Sequence, residues 1–101
     1  MMTIQVQQSE QTITLRLEGE IDHAGAEALK QSFGQLSLDH KTAVIFDFKN
    51  VRYIGSAGLG KLLLFYKRLS AERIQLRVES PSPTVRSLLK ELKMDTLFAV
   101  S

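Results

Sequence analysis

Gly55-Ser56-Ala57-Gly58-Leu59-Gly60-Lys61-Leu62 is the stretch on which the reading of this chain turns. It follows an apolar run, Ala43 to Phe48 and then Val51 to Ile54, and precedes a run with helical periodicity. A strand therefore ends here, the backbone turns at glycines, and a helix begins with a hydroxyl at or near its first position. Three glycines in six residues admit close backbone approach and dihedrals closed to other residues. A helix N-terminus presents free N–H groups and the positive end of the macrodipole, which favour an anion or a capping oxygen. Ser56 is thus a hydroxyl placed where a phosphate is well accommodated.

Two nucleotide-binding patterns come close and fail. Gly55-x-x-x-x-Gly60-Lys61 follows the P-loop pattern up to its last position, where Leu62 replaces the Ser or Thr that ligates Mg²⁺. Leu62 also belongs to an apolar stripe and should face the core. The order Gly55-x-x-Gly58-x-Gly60 reverses the spacing of G-x-G-x-x-G, and a nucleophile elbow needs glycine where Ile54 stands. The residues are better read as a glycine-rich strand-to-helix turn capped by Ser56.

A chain of 101 residues is large enough for one domain with a real core. It is 44% hydrophobic and 24% charged, an ordinary globular composition without low-complexity segments. No cysteine is present, so disulfides, thiolate catalysis and cysteine-ligated zinc are excluded. Met1-Met2-Thr3-Ile4-Gln5 carries no basic region followed by an apolar stretch, and no apolar run approaches a membrane span. The expectation is a cytoplasmic protein with no membrane insertion. Net charge is +2, and Lys61, Lys67, Arg68, Arg73 and Arg77 gather in the second half. Glu72, Glu79 and Glu91 are interspersed and no aromatic residues interleave with the basic ones, so a solvated face is expected and nucleic acid is not.

Alternation marks the strands. Ile4 and Val6, then Ile13, Leu15 and Leu17, form two half-buried strands joined at Ser9-Glu10-Gln11, an antiparallel pair. Asp22 offers an N-cap to a helix with apolar positions Ala24, Ala28, Leu29, Phe33 and Leu36. Ala43-Val44-Ile45-Phe46 reads as a central strand buried on both faces. After the glycine loop, Leu59, Leu62, Leu63, Tyr66 and Leu69 share a helix face. Ile74, Leu76 and Val78 make another strand; Ser82 caps and Pro83 opens a third helix with Val85, Leu88, Leu89 and Leu92. Leu97-Phe98-Ala99-Val100 is a short apolar segment, either a last strand or a docked tail.

This order, β-β-α-β-α-β-α, implies an α/β fold with a mostly parallel mixed sheet, helices packed on it and the first strand antiparallel at or near an edge. Val44, Phe46, Leu62, Leu63, Leu88 and Leu89 are expected to meet in one core. Asp22 and Ser56 both follow carboxyl ends of parallel strands, the edge where open α/β sheets bind ligands. Two loops therefore converge there, and the expected contact surface comprises Asp22, His23, Gly55, Ser56, Ala57, Gly58, Leu59 and Gly60.

Catalysis by this chain is not expected. His23 and His40 read as exposed loop residues, and adjacency of Asp22 and His23 leaves the carboxylate poorly placed to orient the ring toward Ser56. No metal-ligand spacing occurs, so neither a metal nor a cofactor is expected. Asp47, at the end of the buried run, is expected to accept hydrogen bonds from loop N–H groups.

With these segments in hand, the chain resembles the STAS domains, in particular the bacterial anti-sigma factor antagonists. Leu17-Glu18-Gly19-Glu20-Ile21-Asp22-His23, running into Ala26-Glu27-Ala28-Leu29, is similar to the family's L-x-G-E-L-D stretch before the first helix. Asp47-Phe48-Lys49-Asn50-Val51-Arg52-Tyr53-Ile54-Gly55-Ser56-Ala57-Gly58-Leu59-Gly60 is similar to its D-L-S-x-V-x-x-x-D-S-S-G-L-G signature. The resemblance covers nearly the whole chain, implies one STAS domain over residues 1–101 and places the family's phosphorylated serine at Ser56. It implies a partner switch. The unmodified protein binds an anti-sigma factor that is also a serine kinase, phosphorylation releases it, and a serine phosphatase restores it.

Gly55 stands where the family usually has aspartate before the phosphoacceptor, and Ala57 replaces the second serine, leaving Ser56 the one hydroxyl of the loop. These departures point to a cognate kinase unlike the familiar type and leave a STAS switch whose output is not a sigma factor as an alternative. Small STAS proteins also serve as constitutive subunits of lipid-transporting ABC systems, which is the alternative the resemblance implies.

Overall fold

The computed structural model describes residues 2–101. Its strands are β1 (Thr3–Gln8), β2 (Thr12–Ile21), β3 (Ala43–Ile54), β4 (Gln75–Glu79) and β5 (Ala99–Val100). Its helices are α1 (His23–Gly34), α2 (Ser56–Ala71) and α3 (Pro83–Glu91), with a 3₁₀ turn at Met94–Thr96. The strands lie in one sheet in sequence order, β1-β2-β3-β4-β5. The β1–β2 pair is antiparallel and every later pair is parallel. Each parallel step is bridged by a helix, as parallel neighbours require. The expected element order and strand directions are those observed.

One face of the sheet is covered. Ile13, Leu15 and Leu17 of β2, Val44, Phe46 and Phe48 of β3, and Leu76 and Val78 of β4 are buried and join a single hydrophobic cluster with the helices. Arg16, Gln75 and Arg77 on the other face are exposed. The expectation that β3 is buried on both faces is corrected by this layering: Ile45 points to the open face and is only half-buried. An isoleucine there gives β-propensity without a second layer of helices.

Val44, Phe46, Leu62 and Leu89 are buried in the common core, while Leu63 and Leu88 pack against it half-buried. The faces of α1 and α2 are rotated from those expected. Ala24 and Ala28 are exposed, and α1 buries Gly25, Ala26, Leu29 and Phe33. A β-carbon on Gly25 would lie 2.7 Å from the Glu20 carbonyl oxygen, so the helix is seated hard on the end of β2 and its rotation is set there. Alanine, indifferent to either environment, gave no periodic signal. On α2 the buried residues are Gly58, Leu62, Phe65 and Leu69. Phe65 is the missing member: its ring stacks on Phe33 at 4.1 Å and on Phe46 at 5.8 Å, joining α1, α2 and β3.

Leu92, assigned to the buried face of α3, is 50% exposed, because the helix ends at Glu91 and Lys93 turns left-handed at φ 59°. The C-terminal apolar segment combines both expected forms: Phe98 is buried as a docked side chain and Ala99–Val100 pairs with β4. Asp47 accepts from Lys49 N–H at 3.0 Å and lies 3.7 Å from Arg16 Nε. His40 occupies a turn at φ 63° and is exposed.

Candidate functional site

Ile21 and Ile54 end β2 and β3 as direct register partners. Each is followed by one capping residue and then a helix: Asp22 before α1, Gly55 before α2. His23 and Ser56 therefore open two helices side by side. Gly55 N–H donates to the Ile21 carbonyl at 3.0 Å, tying the two loops together. The convergence expected at the carboxyl edge is present.

The two helix starts are chemically different. Asp22 Oδ1 accepts from Gly25 N–H at 2.8 Å, so α1 has a side-chain cap. Ser82 Oγ does the same for α3 with Val85 N–H at 3.2 Å. Ser56 does not cap α2, contrary to expectation; the N-cap is Gly55, which has no side chain to offer, and Ser56 is the first helical residue. No acid stands in the first turn. Among the described residues, the N–H groups of Ser56, Ala57 and Gly58 have no hydrogen-bond acceptor. Ser56 is exposed beside them.

Of the two uses expected of these glycines, close approach is found and unusual dihedrals are not. None of Gly55, Gly58 and Gly60 has positive φ; that geometry belongs to Gly19 alone among the glycines, at φ 111°. Gly58 serves close approach. A β-carbon there would lie 2.6 Å from Ile21 Cγ2 and 2.8 Å from Ile54 Cγ1, so the first turn of α2 rests directly on the two strand ends. Gly58 is accordingly buried and shapes the surface from beneath. Asp22, His23, Ser56 and Gly60 are exposed, and Gly55, Ala57 and Leu59 are half-buried.

Charge and aromatic groups rim this surface. Lys61 Nζ lies 3.6 Å from Glu27 Oε1, linking α2 to α1. Arg52 Nη2 lies 3.7 Å from Glu20 Oε1. Leu62 is fully buried, so position 62 offers nothing to a nucleotide-bound cation. Sequence reasoning missed two residues here. Tyr53 is 53% exposed and its ring stands over Gly55; Leu64 is 55% exposed on α2, two turns beyond Ser56 and about 80° around the helix from it. An aromatic residue two positions from a glycine was the available signal for Tyr53.

A groove of about 590 Å³ lies between α2, β4 and β5, lined among others by Tyr66, Arg73, Arg77 and Phe98, and shares no residue with the Ser56 surface. Among the described residues no cluster of three or more His, Asp or Glu side chains could hold a metal ion. Among the described residues no helix is long and apolar enough to cross a membrane.

A sheet in sequence order, helices on one face and two helix starts side by side at its carboxyl edge define a small α/β domain. The STAS domain pattern matches residues 3–101, and the chain belongs to the STAS domain family. It is similar to a STAS-domain containing protein of Pseudomonas aeruginosa, 26% identical over 91 residues that make up 90% of this chain and 89% of the relative. Among solved structures it is similar to an anti-sigma factor antagonist from Mycobacterium paratuberculosis, with a TM-score of 0.87, 28% identity and coverage of 99% of this chain and 85% of that one. It is also similar to the anti-sigma factor antagonist SpoIIAA in its unphosphorylated form, with a TM-score of 0.70, 26% identity and coverage of 87% and 82%.

Proposed function

We propose that this chain is a partner-switching regulator of the anti-sigma factor antagonist type, controlled by phosphorylation of Ser56. One observation carries the reading: an exposed hydroxyl opens a helix whose first N–H groups lack acceptors and whose cap has no side chain. A phosphate on Ser56 adds about −1.5 to −2 charge and three acceptor oxygens at the positive end of the helix. The domain therefore accommodates it without refolding. In a protein interface spread over Asp22, His23, Gly55, Ser56, Ala57, Leu59 and Gly60, with Gly58 as its base, the same group adds bulk and a charge to be desolvated. A coupling of 1–3 kcal/mol, common for such switches, changes affinity by roughly 5–150-fold.

The partner is an anti-sigma type regulator with serine-kinase activity, and a serine phosphatase reverses the modification; similarity to anti-sigma factor antagonists, one of them described in an unphosphorylated form, supports the anti-sigma part of this reading. The chain itself acts by binding and needs no cofactor, metal or nucleic acid. The buried Leu62 supports the absence of nucleotide turnover. The domain occupies the whole of residues 1–101 and works in the cytoplasm of a bacterium.

The test separates folding from binding. Tagged wild type, Ser56→Ala and Ser56→Asp chains are expressed in the source cells, the retained protein is identified, and affinities and melting temperatures are measured for each variant. All three should fold alike, Ser56→Ala should bind as wild type does, and Ser56→Asp should bind at least several-fold more weakly. A Ser56→Asp chain that binds like wild type, with no phosphate found on Ser56 in cells, would make the chain a constitutive subunit instead.

A further inference from the structure

The sheet has two edges, and they are guarded differently. At one end β5 is two residues long, and its ladder with β4 runs only one residue further, through Ser101 N–H to Val78 O at 3.0 Å and Ser80 N–H to Ser101 O at 2.9 Å. At the other end β1 runs for six residues, Thr-Ile-Gln-Val-Gln-Gln, in unbroken register with β2 and with no charge, proline, glycine or bulge. Brevity, charge, proline and bulges are the devices by which edge strands avoid pairing. β5 is blunted in this way; β1 has none of them.

The hydrogen-bonding pattern fixes what β1 offers. Ser9 N–H donates to Thr12 O at 2.9 Å where the hairpin closes. Alternation along an antiparallel ladder then directs the amides of Gln7, Gln5 and Thr3 to β2 and those of Ile4, Val6 and Gln8 outward. Ile4 and Val6 lie opposite Leu17 and Leu15, on the helix-covered side of the sheet. Nothing beyond β1 covers Val6, which is 45% exposed.

We propose that β1 is a self-association edge, on which a second copy of this chain pairs its own β1 antiparallel about a twofold axis through Gln5. A twofold axis sets each side chain against those of its own copy, so a charged edge repels itself and an uncharged one does not. With Gln5 facing Gln5, Ile4 meets Val6 of the second copy twice, extending the apolar rows of Leu15 and Leu17 across the joint. The two carboxamides on the axis hydrogen-bond to each other on the open face. The result is one continuous sheet in which both β1 edges disappear. Because the axis reverses strand direction, the two Ser56 surfaces point opposite ways and both stay open.

The chain has no cysteine, which makes a site-specific test simple. Facing residues of the non-hydrogen-bonded kind lie about 4.5 Å apart at Cα, within disulfide reach. Under mild oxidation Gln5→Cys should therefore form a covalent dimer in high yield. Gln7→Cys, roughly four residues of strand from its own copy at about 3.4 Å each, should not. By sedimentation equilibrium, wild type should show a concentration-dependent species of twice the 11.4 kDa chain mass. Gln5→Lys should shift this to monomer, and an equimolar mixture of Gln5→Lys with Gln5→Glu should restore it. Far-UV circular dichroism checks that each variant is folded. A wild type that stays monomeric at every concentration overturns the proposal, and so does a dimer that survives Gln5→Lys.

Discussion

The hydroxyl of Tyr53 lies 2.9 Å from where a β-carbon on Gly55 would stand, with the ring carbons Cε2 and Cζ at 3.4 Å. The phenol thus fills the space that a side chain at the α2 N-cap would take. Tyr53 is half-exposed, and the atom in conflict is the far end of a side chain that can swing away. The missing cap of α2 is consequently a matter of residue choice and not of backbone geometry, since Gly55 has φ −96° and ψ −178°.

Gly55→Asp should therefore stabilise the domain. The substitution restricts the unfolded chain and supplies a capping carboxylate at the positive helix end, each worth a few tenths to 1 kcal/mol. A net gain of about 1 kcal/mol corresponds to roughly 4–8 °C in melting temperature for a domain of this size. Gly58→Ala should do the reverse, costing about 1–3 kcal/mol, because its methyl would meet Ile21 and Ile54 beneath the helix. Thermal melts of the two variants check both signs, and a destabilised Gly55→Asp chain would mean that Tyr53 is held in place.

Leu62 and Leu64 are two residues apart and should respond oppositely to truncation. Leu62 is fully buried, so Leu62→Ala should cost about 2–5 kcal/mol in denaturant titrations. Leu64 is mostly solvated, so Leu64→Ala should stay within about 0.5 kcal/mol of wild type. Leu64 is an exposed apolar residue on the helix that Ser56 opens, so any effect is expected on partner affinity instead.

Asp22→Ala removes the cap on α1 and should cost about 0.5–2 kcal/mol. Asp22→Asn or Asp22→Ser, which retain a capping oxygen, should recover most of that loss. A partner-binding defect that persists in the recovered variants is then a property of the carboxylate itself.

Mg²⁺ and ATP should not raise the melting temperature of the wild type, because position 62 has no hydroxyl and its side chain points into the core. Lys61→Ala breaks the pair with Glu27, whose side chain is half-solvated, and should cost no more than about 1 kcal/mol. A nucleotide-dependent shift in wild type that Lys61→Ala abolishes would return the P-loop reading.

Local sequence determined the elements, because each signal there acts within a few residues. Strict alternation in Ile13-Thr14-Leu15-Arg16-Leu17 is enough to specify a strand with one buried face. Asp22 and Ser82-Pro83 place helix starts by bonding N–H groups three residues away. The Asp47-to-Gly60 pattern located the loop and its hydroxyl. Tertiary structure decided what depends on partners distant along the chain. The rotation of α1 follows from Gly25 seated on Glu20, and Phe65 became a core residue because Phe33 and Phe46 stack on it. Pairing of Ile21 with Ile54 set the uncapped start of α2 beside the capped start of α1. It also brought the two strand ends so close beneath α2 that only a glycine fits at position 58, a contact between residues far apart in sequence that no local pattern encodes.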